Sequence, residues 1–217
     1  MRKIGMIALL ILSAGSVYGK EGIDELVITA KTMVAEQQGK IITFIGNVRM
    51  EKGKVFATAD RVMEYREKKR LTASGRIHCV DDSSEDTQTE VFADRAEYCG
   101  EGDFGVLKGN PRIYRVDKND GENRLEVKGD VVSVFSKEKK VVIENNAEVN
   151  RRDMKATSRR LDYDSGEKKI VMTEGPPRIY VKTEGGNAEY SAEKIILFVD
   201  EQRVIMENNV NGFFYAE

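Results

Sequence analysis

The residues of this chain whose types could do chemistry are one histidine, two cysteines and an acidic run, and none of them assembles a reactive set. His78 is the sole imidazole, so a two-histidine metal site is excluded, and general-base work requires a positioned partner that the neighbouring sequence does not supply. It falls at an odd offset of an alternating strand and reads as an ordinary outward-facing surface residue. Cys79 and Cys99 would favour pairing in an oxidising compartment. Strand register argues against it: a hairpin across the intervening loop sets Cys99 opposite roughly Thr72, so a bridge would depend on a bend at Gly75. A disulfide and two free thiols both remain open, and neither is read as catalytic. The run Asp81-Asp82-Ser83-Ser84-Glu85-Asp86 lacks the spacing and the glycine of a calcium loop and reads as a solvated loop tip. No catalytic residue, no metal site and no cofactor is expected.

The elements that carry these residues are more informative than the residues. Six corner positions, Ala30, Ala59, Ala93, Gly129, Ser158 and Ala192, are each followed by a kink residue: Gly46, Gly75, Gly109, Asn145, Gly175 and Asn208. The intervals are 16 residues, except 17 in the fifth unit. Two and four residues to either side of each kink, no position is charged, in a chain that is 33% charged. The odd offsets hold Arg49, Arg76, Lys108, Glu144, Glu148, Arg178 and Glu207. Period two is the period of a half-buried strand. In the corner strands the apolar phase slips by one around a charged residue, Lys31, Asp60, Asp94, Asp130, Arg159 or Glu193, which is the signature of a β-bulge placed in the corner strand.

The pattern predicts an all-β fold: an open, twisted antiparallel β-jellyroll of about six repeated strand-turn-strand units. Its inward face would include Phe44, Val48, Met50, Ala73, Ile77, Leu107, Ile113, Ile143, Val149 and Met206, with Thr43, His78 and Glu144 on the opposite face. Corners Ala30, Ala59 and Ala93 recur 99 residues later at Gly129, Ser158 and Ala192, which suggests duplication of a three-unit block. Basic residues recur at the turns, as Lys40, Lys68-Lys69-Arg70, Lys139-Lys140 and Lys168-Lys169. They serve either to protect sheet edges or as a rim for phosphate groups. The outermost strands, around Val27 to Val34 and Val204 to Phe214, are the expected free edges.

At the N-terminus, Met1-Arg2-Lys3 precedes a short apolar run, Ile4 to Leu12, and small residues up to Gly19. This reads as a secretory signal over residues 1–19 with cleavage near Gly19, leaving a single domain over 20–217. Losing Arg2 and Lys3 takes the formal charge from −2 to −4, no electrostatic footprint for nucleic acid.

The runs Ala-Thr-Ala-Asp-Arg-Val-Met-Glu-Tyr (57–65), Phe-Ala-Asp-Arg-Ala-Glu-Tyr (92–98), Phe-Ile-Gly-Asn-Val-Arg-Met (44–50) and Leu-Thr-Ala-Ser-Gly-Arg-Ile (71–77) resemble the LptA/OstA family of periplasmic lipopolysaccharide-transport proteins. The same repeat occurs in LptC-like domains and in LptD N-terminal domains. The last three units depart from the Ala-Asp-Arg core, with Lys-Gly-Asp, Thr-Ser-Arg and Ser-Ala-Glu. The resemblance implies a periplasmic, non-enzymatic protein whose apolar groove, lined by the ten inward residues, holds acyl chains of lipopolysaccharide. Its partners would be LptC-like and LptD-like domains and further copies joined head to tail through edge strands, in a bridge between the two membranes. Two alternatives stand beside it: a membrane-tethered, LptC-like component and a non-transport structural β-repeat protein. A solenoid would keep a constant repeat, whereas the corner-to-corner intervals here are 29, 34, 36, 29 and 34. A carbohydrate-active enzyme would need two carboxylates aimed into a cleft, and the recurring acids are expected to face solvent.

Overall fold

The computed structural model describes residues 26–121, 124–183, 185–198 and 203–216; the expected signal segment lies outside them. After β1 (Val27–Thr29) and β2 (Thr32–Glu36), a 3-10 turn at Gln37–Gly39 leads into the long strands β3 (Ile41–Lys52), β4 (Val55–Tyr65), β5 (Arg70–Asp81) and β6 (Thr87–Cys99). Then come β7 (Phe104–Lys108), β8 (Arg112–Asp117), β9 (Arg124–Lys128), β10 (Val131–Phe135), β11 (Lys140–Arg151) and β12 (Met154–Asp164). The chain finishes with β13 (Lys169–Thr173), β14 (Arg178–Thr183), β15 (Gly186–Ser191), β16 (Lys194–Phe198), β17 (Arg203–Glu207) and β18 (Asn211–Ala216).

These strands form twelve bent rows, each antiparallel to the next. Six rows run unbroken through the bend; the others divide there into β1 and β2, β7 and β8, β9 and β10, β13 and β14, β15 and β16, and β17 and β18. Each row gives one half to each of two arms. Thus β3 pairs with β2 through Ile41–Ile45 and with β1 through Arg49–Glu51. The result is one folded-over antiparallel sheet, an open jellyroll. Among the described residues its first and last rows are each paired on one side only.

The bend has one construction repeated six times. Two consecutive residues take positive φ: Gly46 and Asn47, Gly75 and Arg76, Gly109 and Asn110, Asn145 and Asn146, Glu174 and Gly175, Asn208 and Asn209. Gly and Asn dominate because they tolerate the left-handed region. At five of the six corners the next residue donates its N–H to the carbonyl of the first kink residue: Lys31 to Gly46 (3.0 Å), Asp94 to Gly109 (3.1 Å), Asp130 to Asn145 (3.0 Å), Arg159 to Glu174 (2.9 Å) and Glu193 to Asn208 (3.0 Å). Two sequence expectations are corrected here. The fifth kink starts at Glu174, not Gly175, so its interval is also 16. The extra residue of the bulge sits in the kink strand and not in the corner strand. Ile45 faces Arg61 and Val48 faces Ala59, so Gly46 and Asn47 together oppose Asp60. A left-handed pair uses two residues to cover the distance that one extended residue spans on the neighbour.

The 99-residue echo is written into the strand boundaries. Adding 99 to both ends of β2, β3, β4, β7 and β8 gives β10, β11, β12, β17 and β18. The unbroken β5 corresponds to the divided β13 and β14, where Pro176 and Pro177 remove two ladder donors. The chain is two copies of one six-row module.

Candidate functional site

All ten residues assigned to the inward face lie on it. Val48 (0% exposed), Met50, Ala73, Ile77, Leu107, Ile143 and Val149 belong to one buried apolar cluster, and Phe44, Ile113 and Met206 pack against it half-buried. The cluster draws on both arms: Val48 and Ala156 come from one, Val62, Val132, Met172 and Ile195 from the other, all at 0%. Alternation accounts for the face, but closure is a separate fact. Through the middle of the molecule the inward faces pack on each other and exclude water. Toward the two ends the interior is accessible, with Met33 at 62% and Val204 at 44%.

The charged residues that follow the corners point away from this interior. Lys31, Asp94, Asp130, Arg159 and Glu193 are exposed, and several brace the kink sixteen residues on. Arg76 donates to Asp60 through Nε and through Nη2 (2.6 Å), which holds the Asp60 carboxyl below its usual range. The amides of Asn146 and Asn209 donate to Asp130 and Glu193. These side chains are consumed in holding the bend, and among the described residues no three potential ligands gather at a metal site.

The outer face carries an arrangement that the sequence reading missed. His78 stacks on Phe92 with ring centroids 4.4 Å apart and 7° between planes, meets Phe56 edge-on at 6.2 Å, and Phe92 in turn meets Tyr114 edge-on at 5.9 Å. Arg49 covers Phe56 at 4.7 Å and Arg124 covers Tyr114 at 3.9 Å. The ladder runs diagonally across six rows, so His78 is outward-facing as expected but is a packed element rather than a free surface group. The signal was present in Phe56, Phe92 and Tyr114 at outward offsets; only the pairing register brings them together. Thr43, placed by alternation on the outer side, is nonetheless only 3% exposed, with Val34 and Met63 directly flanking it.

Both cysteines are free thiols. Cys99 faces Arg70, not Thr72, and Cys79 faces Val91; burial, then the charge of Asp81, pushes the Cys79 thiol up to about 12. A protonated, enclosed thiol is a poor nucleophile. On β11, burial raises the Glu148 carboxyl, but hydrogen bonds from Lys128, Asn150 and Lys155 outweigh it and hold the group at about 2. This network pins β9, β11 and β12 together on the outer face.

Residues 27–140 match the profile of a family described as LptA/(LptD N-terminal domain) LPS transport protein. The chain belongs to this family. The match spans the whole first module and the opening of the second; the rest of the second module repeats the strand plan of the first. No curated protein matches the chain. Among solved structures, the chain is similar to LptH from Pseudomonas aeruginosa, the LptA homologous periplasmic component of the lipopolysaccharide transport device. The identity is 11% over 88% of this chain and 96% of that one, with a TM-score of 0.27.

Proposed function

We propose that this chain is an exported, periplasmic lipopolysaccharide carrier that shelters acyl chains between its two arms and joins a bridge toward the outer membrane. Family membership supports the transport role. The observation that carries the lipid reading is the inward face, a continuous apolar surface running from Phe44 in the second row to Met206 in the last, with Asp81 at the end of β5 as the one buried charged residue among those described. Such a surface offers acyl chains burial at roughly 25 cal/mol per Å² and offers a reacting group nothing to work with, so the role is non-enzymatic. The arms pack on each other when empty. Each large side chain uncovered by parting them costs about 1.5–3 kcal/mol, which an inserted acyl chain restores. Entry is therefore at the accessible ends, and lipid replaces protein–protein contact residue by residue. The free sides of the first and last described rows are the surfaces through which LptC-like and LptD-like domains, or further copies, extend the sheet.

Photo-crosslinking side chains at Phe44, Val48, Met50, Ala73, Ile77, Leu107, Ile113, Ile143, Val149 and Met206 are expected to capture lipopolysaccharide, while His78 and Glu144 are not. Equal capture from the two sets, or purified exported protein without bound lipopolysaccharide, overturns the reading.

A further inference from the structure

In the arm that contains Val48, the inward side chains form lateral tiers at increasing distance from the bend. The tier through Met50 runs across all twelve rows, from Ile28 to Gly212, without a charged residue. The next tier lies two residues further out, at the lip of the arm. It points the same way, since Val55 belongs to the buried cluster and Leu125, Met154 and Val181 pack against it. Yet this tier turns Lys52, Asp81, Arg115 and Arg151 inward.

The two modules part at this tier. Where the first has Asp81, Thr89 and Arg115, the second has Val181, Ala188 and Phe214 in the equivalent strands. The interior therefore ends in charge near the middle of the molecule and stays apolar to its lip over the last rows. Asp81 is engaged by its own turn, accepting the Ser83 N–H at 2.9 Å. Arg115 is half-buried, and among the described residues its guanidinium forms no ion pair and no hydrogen bond. Removing a guanidinium from water without an anion beside it is costly. The basic turns at the lip of the other arm differ, because carboxylates already meet them: Lys40 lies 2.8 Å from Glu67, Arg70 2.8 Å from Glu97 and Lys169 3.2 Å from Glu167.

Arg115 and Arg151 both lie directly opposite Leu125, one on each side. Their strands are thus two spacings of about 4.8 Å apart, near enough for two long side chains to meet one group above Leu125. Guanidinium forks bind the paired oxygens of a phosphate or carboxylate. We infer that Arg115 and Arg151 hold a phosphate of the lipid head group where the cargo leaves the apolar interior. This rests on the carrier reading above and adds the place and chemistry of head-group recognition. An acylated, phosphorylated sugar changes from apolar to anionic at one boundary, and the protein makes the same change between the tier of Ile113 and Val149 and the tier of Arg115 and Arg151. The Asp81 carboxylate, two rows to the other side of Arg115, repels an anion and favours the position over Leu125.

The test compares lipid A with the same lipid after enzymatic removal of its phosphates, each presented to the exported protein in non-ionic detergent micelles. The wild type is expected to bind the phosphorylated lipid about tenfold more tightly, the scale of one charge-assisted hydrogen-bonded contact. Arg115→Gln and Arg151→Gln should each reduce that preference, and the double variant should abolish it, with binding of the dephosphorylated lipid unchanged. Arg115→Lys should restore part of the preference, and Arg112→Gln, on the outer face, should leave it intact. A wild type that binds both lipids equally, a double variant that keeps the preference, or one that loses both lipids alike overturns the inference. Millimolar inorganic phosphate should leave the preference in place; its loss there would assign the site to free phosphate and overturn the head-group assignment. Failure of the wild type to bind either lipid removes the carrier reading and this inference with it, whereas equal binding of both leaves the carrier reading standing.

Discussion

Val132 and Met33 hold the same place in the two modules, 99 residues apart at the same point of equivalent strands, yet one is 0% exposed and the other 62%. Residue type does not explain this, since both are apolar and both point inward. The difference is the next row: β10 has β7 beside it, whereas among the described residues β2 is paired with β3 alone. Burial in a meander belongs to the junction between rows, so the same sequence pattern makes a core in the middle and an exposed apolar edge at the end.

The largest effect is expected where an inward charge separates middle from rim. Val48→Asp places an unpaired carboxylate in the closed centre and should cost about 4 kcal/mol or more in lipid-free protein, whereas Val204→Asp at the accessible end should stay within about 1 kcal/mol. Thermal unfolding of the two variants decides it; similar losses would mean that the interior is uniformly open or uniformly closed. Next come the bends. A Cβ on Gly75, at φ +77°, would approach Asp60 Cβ at 2.8 Å, while one on Gly175, also at φ +77°, finds nothing nearer than 3.9 Å. Gly75→Ala should cost about 2–3 kcal/mol and Gly175→Ala about 1, the strain of the backbone alone. Equal losses by denaturant unfolding would show that the Asp60 contact is unimportant to the bend.

The equivalent pair provides a smaller and more direct measure. Val132→Ala should destabilise the monomer by about 2 kcal/mol through the cavity it leaves, and Met33→Ala by no more than about 0.5. At concentrations where chains associate, Met33→Ala should weaken assembly more than Val132→Ala does, measured by sedimentation. The smallest effect is in pH. Because the Glu148 carboxyl is held at about 2 against an ordinary 4.5, its contribution is fully present above about pH 4.5 and is lost as pH falls toward 2. Glu148 is partly exposed, so this amounts to about 1 kcal/mol. Glu148→Gln should remove that part of the acid-induced loss between pH 4.5 and 2, and an unchanged stability–pH curve would show that the network on β9, β11 and β12 contributes little.

What the sequence determined by itself is everything with a short period. Alternation needs only neighbouring residues, so all ten inward positions, the outward acids, the bends and the first and last rows were legible without coordinates. So was the 99-residue echo. At the fifth bend the glycine marks only the second left-handed position; the first is Glu174, whose carbonyl accepts the Arg159 N–H. Which of two facing strands holds the extra residue of the bulge likewise depends on their register, and local phase alone pointed to the wrong one. Only the tertiary structure decided whether the two inward faces meet or stay apart, because apolar alternation is identical for a closed core and an open groove. It also decided that His78 is clamped between aromatic rings, that Cys79 and Cys99 face other residues, and that Met33 and Val132 have opposite fates. Each of these depends on a partner strand at a distance in sequence, and strand–strand contact, unlike strand formation, is not a property of the residues on one strand.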